Sequence, residues 1–202
     1  MNVSRKFFNN KKILIYGMGK SGFSSYHFLK KKNYIKIYDD KIKIIKNKSI
    51  KKFFLEKSKI LKIKFDYIVI SPGINVNKCN LKNYLKKNSQ RIITDLDIFY
   101  SHYSKNKIIT ITGTNGKSTT AKLLNLILIN HKLDARLCGN IGNPVLLEKN
   151  ISKKTIFVIE ASSYQIDYSK IFKTNYAIIL NISPDHLERH GSIKNYVNAK
   201  FK

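Results

Sequence analysis

Short, almost wholly apolar runs punctuate this chain. Ile13–Tyr16, Ile35–Tyr38 and Tyr67–Ile70 fall in its first third, and Ile108, Ile109 and Ile111 open a second series. That series continues with Ala135–Cys138, Thr155–Glu160 and Tyr176–Ile182. Runs of this length, rich in β-branched and aromatic residues, predict buried strands. Between them the apolar spacing becomes helical. Lys117–Asn130 puts Ala121, Leu124 and Leu128 on one face, while Ser21 to about Lys31 and Ser192–Lys202 also read as helices. Strands alternating with helices imply parallel α/β sheets.

The expected fold is therefore α/β. Residues 1–94 form a Rossmann-like parallel sheet, and residues 95–202 form an incomplete P-loop-type ATPase domain. The Lys-rich stretch from Lys41 to Lys64 shows no readable element, and its charges read as a solvated face. The last predicted helix reaches the final residue with neither a capping glycine nor a trailing loop, so the sequence is expected to be a fragment.

Composition changes this picture little. The net charge of +27 raises the question of nucleic acid or an anionic membrane. Arginine, however, stands only at Arg5, Arg91, Arg136 and Arg189. The remaining charge is lysine spread along the chain among abundant Ile and Asn, a mixture that AT-rich codons produce without selection for binding. Base and phosphate readout favours the arginine fork, so no nucleic-acid partner is expected. Cys79 and Cys138 have neither metal-ligand spacing nor a disulfide framework, which fits free thiols in the cytoplasm. No apolar run approaches the ~20 residues of a membrane span. The basic then apolar N-terminus is too short in its apolar part for a signal peptide and runs into glycines.

The chemistry lies in the loops that follow the strands. Ile111-Thr-Gly-Thr-Asn-Gly-Lys-Ser-Thr119 sits between a strand and a helix N-terminus. Glycines there let several N–H groups converge on one anion, and the helix dipole adds positive potential. Lys117 supplies a mobile charge for the β- and γ-phosphates, and the Ser118 hydroxyl suits Mg²⁺. Ile111 stands where the usual loop has its first glycine, so this is a variant form. Gly17-x-Gly19-x-x-Gly22, with Asp39 at the end of the next strand, fits a dinucleotide site. It equally fits a sugar-nucleotide turn, or glycines that only let helix and strand pack. Glu160 ends an apolar strand as a candidate Mg²⁺ ligand. His186 lies in a loop after another strand, so Glu160, His186 and the phosphate loop would share one sheet edge.

Together these stretches resemble the Mur ligases, the ATP-dependent ligases of bacterial cell-wall precursors. Thr112 to Thr119 looks like their ATP loop, which folylpolyglutamate synthases share. Gly139-Asn-Ile-Gly-Asn-Pro144, Glu160-Ala-Ser-Ser-Tyr-Gln165 and Asp185-His-Leu-Glu-Arg-His-Gly-Ser192 look like the branch that adds D-glutamate, and Ser71-Pro-Gly-Ile74 fits its first domain. Ala161, where Leu is common, and Lys20 in the first glycine loop depart from the pattern.

The resemblance implies ATP and Mg²⁺ as cofactors, with UDP-N-acetylmuramoyl-L-alanine and D-glutamate as substrates. It implies ATP binding by Gly113, Thr114, Asn115, Gly116, Lys117, Ser118 and Thr119. Ser21, Asp39, Gly73, Asn140, Ser162 and His186 would bind the UDP substrate, which displaces NAD from the first domain. Ser118, Glu160, His186 and Lys200 would serve the metals, Lys200 as a carbamate, and Lys117, His186 and Lys200 would be catalytic. It further implies three domains in such ligases, of which this sequence reaches partway into the second. The chain alone is thus expected to be an incomplete ligase and a monomer. The alternatives are another ligase of the superfamily, a UDP-substrate-binding fragment without turnover, or a basic nucleic-acid binder.

Overall fold

The computed structural model describes residues 8–41 and 48–202. Two parallel sheets organise it. In the first, β1 (Lys12–Tyr16) is followed by α1 (Lys20–Leu29), β2 (Tyr34–Tyr38) and two single-turn helices, α2 (Lys48–Lys51) and α3 (Lys57–Ile60). β3 (Tyr67–Ile70), α4 (Lys82–Lys87) and β4 (Ile92–Ile93) complete it, in the order β2-β1-β3-β4. β1 is followed by β2 on one side and β3 lies on the other. The crevice at their carboxyl ends is the position where such sheets bind ligands. β1 and β3 are almost completely buried, as a parallel strand covered on both faces must be. Gly22 secures the close packing of α1: a Cβ there would lie 1.8 Å from the Gly17 carbonyl oxygen.

In the Lys-rich stretch, residues 42–47 lie outside the described residues. Beyond them, Lys51, Lys52, Lys57, Lys59 and Lys62 are exposed while Ile50 and Ile60 turn inward, as a solvated face over a core requires.

α5 (Asp95–Tyr103) leads into the second sheet. β5 (Lys107–Thr112), α6 (Lys117–Asn130), β6 (Ala135–Gly139), β7 (Ile156–Glu160), α7 (Ser163–Tyr168) and β8 (Tyr176–Ile179) follow, with strand order β6-β7-β5-β8. α8 (Leu187–His190) and α9 (Ile193–Phe201) close the described chain. β8 ends before the expected Ile182. Leu180 N–H still reaches Thr112 O, but Asn181 then turns to hold the phosphate loop.

One core runs through both sheets. Ile13 and Ile15 of β1 belong to the same apolar cluster as Phe99 of α5 and Phe157 of β7, and the two phenyl rings meet edge to face at 4.7 Å. The polar N-terminus of α5 fixes this junction. Thr94 and Ser169 hydroxyls lie 2.8 Å apart, and Asp97 Oδ1 accepts the N–H groups of Lys170, Ile171 and Phe172. On α6, Ala121 is buried, and Leu124 and Leu128 are half-buried against Ile111 and Val158. Leu123 and Leu126 on the opposite side are more than half exposed.

Candidate functional site

The phosphate loop leaves β5 at Gly113 and enters α6 at Gly116, whose φ of 79° is readily available only to glycine. No side chain caps α6, so its first N–H groups stay directed at the space in front of the helix. The loop is braced from β8. Thr114 N–H donates to Asn181 O, Asn115 N–H donates to Asn181 Oδ1, and Asn181 Nδ2 donates to Asn115 O. Thr114 Oγ1 also contacts the Ser183 backbone and the Tyr196 hydroxyl. Lys117 Nζ donates to Thr114 O at 2.7 Å, folded over the loop it would leave to meet a phosphate.

Glu160 is the junction of this site. It is 1% exposed, and each carboxylate oxygen accepts one hydrogen bond. Ser118 Oγ donates at 2.8 Å and Asn140 Nδ2 at 2.9 Å, while Asn140 N–H donates to Glu160 O. Gly139 permits this approach, since a Cβ on it would sit 2.4 Å from that same carbonyl oxygen. Ser118 and Glu160 thus offer hard oxygen donors beside a phosphate-binding loop, a set that fits Mg²⁺ completed by phosphate oxygens and water. Among the described residues no three His, Cys, Asp or Glu gather for a metal, so the protein would supply few of the ligands.

Lys200, on α9, is 6% exposed. Its ammonium donates to Gly113 O at 2.8 Å and reaches Thr112 Oγ1 at 3.4 Å. Burial first, then the charge of Lys117, pushes its pKa down to about 8. At pH 7 roughly one Lys200 in ten is then neutral, against about one in 2500 for an ordinary lysine. Neutral amine is the form a carbamate requires. A lowered lysine pKa also has a stability signature. Between pH 8 and 10.5 the unfolded chain holds a proton that the folded chain lacks, so stability rises with pH across that window. The rise is expected to be on the order of 3 kcal/mol and to vanish in Lys200→Met. Urea unfolding in CO₂-free buffers would measure it, and parallel pH profiles for the two proteins would refute it.

The second part of the site is the crevice at the ends of β1 and β3. It encloses about 480 Å³ and takes lining from both sheets: Gly17, Ser21 and Gly73 from the first, Asn140 and Gln165 from the second. A Cβ on Gly73 would meet nothing within 4 Å, so this turn presents bare backbone to the cleft. Asp39 lines the cleft, yet its two carboxylate oxygens already accept the N–H groups of Met18 and Lys41. It therefore shapes the glycine turn as well as facing the cleft. The neighbouring Asp40 accepts the Tyr16 hydroxyl at 2.7 Å.

The other expected residues divide. Ser162 is committed locally as the N-cap of α7, exchanging hydrogen bonds with Gln165. His186 is half-exposed with a left-handed φ of 54°. Its ring faces Asp185 at 3.4 Å, Glu188 at 3.8 Å and the Tyr164 ring at 5.1 Å, rather than Glu160. Ser118, Glu160 and Asn140 are thus brought together, while His186 stands in a separate cluster.

Sequence reasoning missed two cleft residues. Asp95 is fully buried against the cleft, and its Oδ1 accepts Gln165 Nε2 at 3.3 Å. Burial raises its carboxyl pKa, partly offset by Ser21, Gln165 and backbone donors. Ser21 Oγ is close enough to act on Asp95 electrostatically but makes no hydrogen bond of ordinary geometry. The Asp-x-Asp spacing of Asp95 and Asp97, shortly after the apolar pair Ile92–Ile93, is the sequence signal for this polar helix start.

A glycine-rich loop between strand and helix on one parallel sheet, beside a cleft shared with a Rossmann-like sheet, places the chain among two-sheet α/β proteins. Residues 11–93 match the Mur ligase MurD-like N-terminal domain, and residues 111–202 match the Mur ligase middle domain. The chain belongs to the Mur ligase family. It is 38% identical over 203 residues to the UDP-N-acetylmuramoylalanine–D-glutamate ligase of Caldicellulosiruptor saccharolyticus, covering 95% of this chain and 45% of that one. It is likewise 38% identical over 192 residues to the ligase of that name from Rickettsia bellii, covering 93% of this chain and 42% of that one. The chain thus spans less than half the length of these curated relatives. Among solved structures, UDP-N-acetylmuramate:L-alanyl-gamma-D-glutamyl-meso-diaminopimelate ligase from Neisseria meningitides shares the fold. The TM-score is 0.55 at 17% identity, covering 94% of this chain and 67% of that one.

Proposed function

We propose that this chain supplies the UDP-substrate cleft and the ATP loop of a ligase that joins D-glutamate to UDP-N-acetylmuramoyl-L-alanine in the cytoplasm. The observation that carries this reading is Glu160, whose carboxylate is held by Ser118 of the phosphate loop and Asn140 of the cleft wall. A triphosphate on the loop and an acceptor carboxylate in the cleft would therefore meet at one residue. Residues 1–94 take the uridine nucleotide, with Gly73 and the glycine turn offering backbone to the diphosphate. Residues 95–202 take ATP.

In the reaction, the alanine carboxylate attacks the γ-phosphorus, ADP leaves, and the D-glutamate amine then displaces phosphate from the acyl phosphate. Two anions must approach each other in the first step. Positive charge fixed in advance at that point lowers the barrier. Lys117 and the N–H groups at the start of α6 provide it from this chain. Mg²⁺, held by Ser118 and Glu160, would add further charge neutralisation. Lys200, pinned to Gly113, fixes the base of the loop and is positioned for the carbamate that the family resemblance implies. Asn140 orients the substrate, and His186 serves its carboxylate end once the cleft is filled.

Calorimetric titration of this chain with UDP-N-acetylmuramoyl-L-alanine, with NAD as the comparison, tests the reading. Saturable binding of the UDP compound alone is expected. Binding of NAD alone would make the first sheet a dinucleotide site and overturn the proposal.

A further inference from the structure

Arg189 joins the two halves of the site. It sits on α8, three residues after His186, yet its guanidinium crosses to the turn after β3. Nη1 donates to Pro72 O at 2.6 Å and Nη2 donates to Ile74 O at 2.5 Å. The carbonyls held in this way flank Gly73, the bare turn that lines the cleft. The same guanidinium sits over the Tyr164 ring, its Cζ 3.5 Å from the centroid. The Tyr164 ring in turn lies 5.1 Å from the rings of His186 and His190. Pro72–Ile74, Arg189, Tyr164 and His186 therefore form one continuous line of contact from the cleft to the loop that carries the histidine.

We propose that Arg189 is a positioning residue that ties the cleft turn at Gly73 to the His186 loop, so that filling the cleft sets the place of the histidine. This rests on reading the cleft as a uridine-nucleotide site. Only arginine can make the tie. Two parallel donors are needed to reach carbonyls two residues apart, and a planar cation is needed to stack on the tyrosine. A lysine ammonium has one centre, cannot fork and stacks poorly. Arg189 Nε is buried without a hydrogen-bond partner, so the guanidinium's hydrogen bonds to the backbone come from its forked end. The cleft end of the line is anchored: Ile74 N–H is bonded to Ser71 O, and Ser71 Oγ donates to Gly17 O beneath the cleft. A ligand that displaces the Gly73 turn must displace the fork. Because coupling between two sites is a difference in free energy between two arrangements, it is reciprocal and measurable from either end.

The test compares this chain with Arg189→Lys, which keeps the charge and removes the fork. Hydrogen exchange of the Ile74 amide in the free protein is expected to rise about tenfold in the variant, with Val69 and Ile15 amides unchanged. The His186 ring resonance, followed by NMR, is expected to move when UDP is added to the parent chain and to stay still in the variant. UDP affinity is expected to fall about tenfold. Unchanged Ile74 exchange together with an unchanged His186 response overturns the tie, whatever the affinity. If the parent chain binds no UDP but the variant still accelerates Ile74 exchange and shifts His186, the tie stands and the uridine reading falls. Tyr164→Leu provides a second route should Arg189→Lys fail to fold. It leaves the fork in place, so Ile74 should stay protected while the His186 response is lost. A retained response there also overturns the proposal.

Discussion

Lys117→Ala is expected to weaken binding of Mg·ATP by this chain about 100-fold while leaving UDP-substrate affinity within about twofold. The ammonium makes a single hydrogen bond in the structure, to Thr114 O within its own loop. Its removal therefore strands no buried partner and should leave the fold intact. What is lost is a mobile cation at the point where two phosphates would lie. A hydrogen bond to a charged group contributes about 1.5–3 kcal/mol, and 1.4 kcal/mol corresponds to a factor of ten in affinity. In a ligase containing this segment the effect on rate would exceed the effect on binding, because charge grows on the transferring phosphoryl group in the transition state. Parallel titrations with Mg·ATP and with the UDP compound measure both quantities. Equal losses in the two would show that the sites are not divided between the sheets as proposed. No change in either would remove the phosphate assignment from the loop.

The largest effect on stability is expected at Asp97. This carboxylate is completely buried, and its oxygens accept four backbone N–H groups, from Thr94, Lys170, Ile171 and Phe172. Three of those donors belong to the segment after α7 and one to the start of α5, so a single side chain fastens the segment between the two sheets. Burial pushes its carboxyl pKa up, and the four donors pull it back. Asp97→Ala leaves four donors unsatisfied where water has little access. Each orphaned group costs about 1–3 kcal/mol before relaxation, so a net loss of about 3–5 kcal/mol is expected. In a chain of this size that lowers the midpoint by on the order of 10 °C. Asp97→Asn should cost less, because the amide oxygen still accepts from the Lys170–Phe172 turn while its NH₂ opposes Thr94 N–H. Thermal and denaturant unfolding would check both. An alanine variant within about 1 kcal/mol of the parent would mean that this junction contributes little.

How much of this could be read from the chain depended on the range of the forces involved. Local patterning exposed the strands of both sheets, because a parallel strand buried on two faces must be apolar, as Ile13–Tyr16 and Ile156–Ile159 are. The phosphate loop was equally legible, since glycines at positive φ, a following lysine and an uncapped helix are all fixed by neighbours in sequence. β4 escaped notice because two residues carry no period, and α5 because its apolar face is interrupted by acids whose partners lie some seventy residues away. Ser162, a substrate group by the family resemblance, also caps α7, a local commitment that motif matching does not reveal.

The sequence by itself determined the α/β class, the two nucleotide-type loops and the family, because these follow from periodicity and from motifs contiguous in the chain. Only the tertiary structure decided which of those motifs touch. It brought Glu160 between Ser118 and Asn140, buried Lys200 under Gly113 so that its proton is loosely held, and carried Arg189 across to Pro72 and Ile74. Each of these contacts joins residues 20 or more positions apart. Their geometry is set by strand order and by the helices packed between the two sheets, which no local pattern encodes.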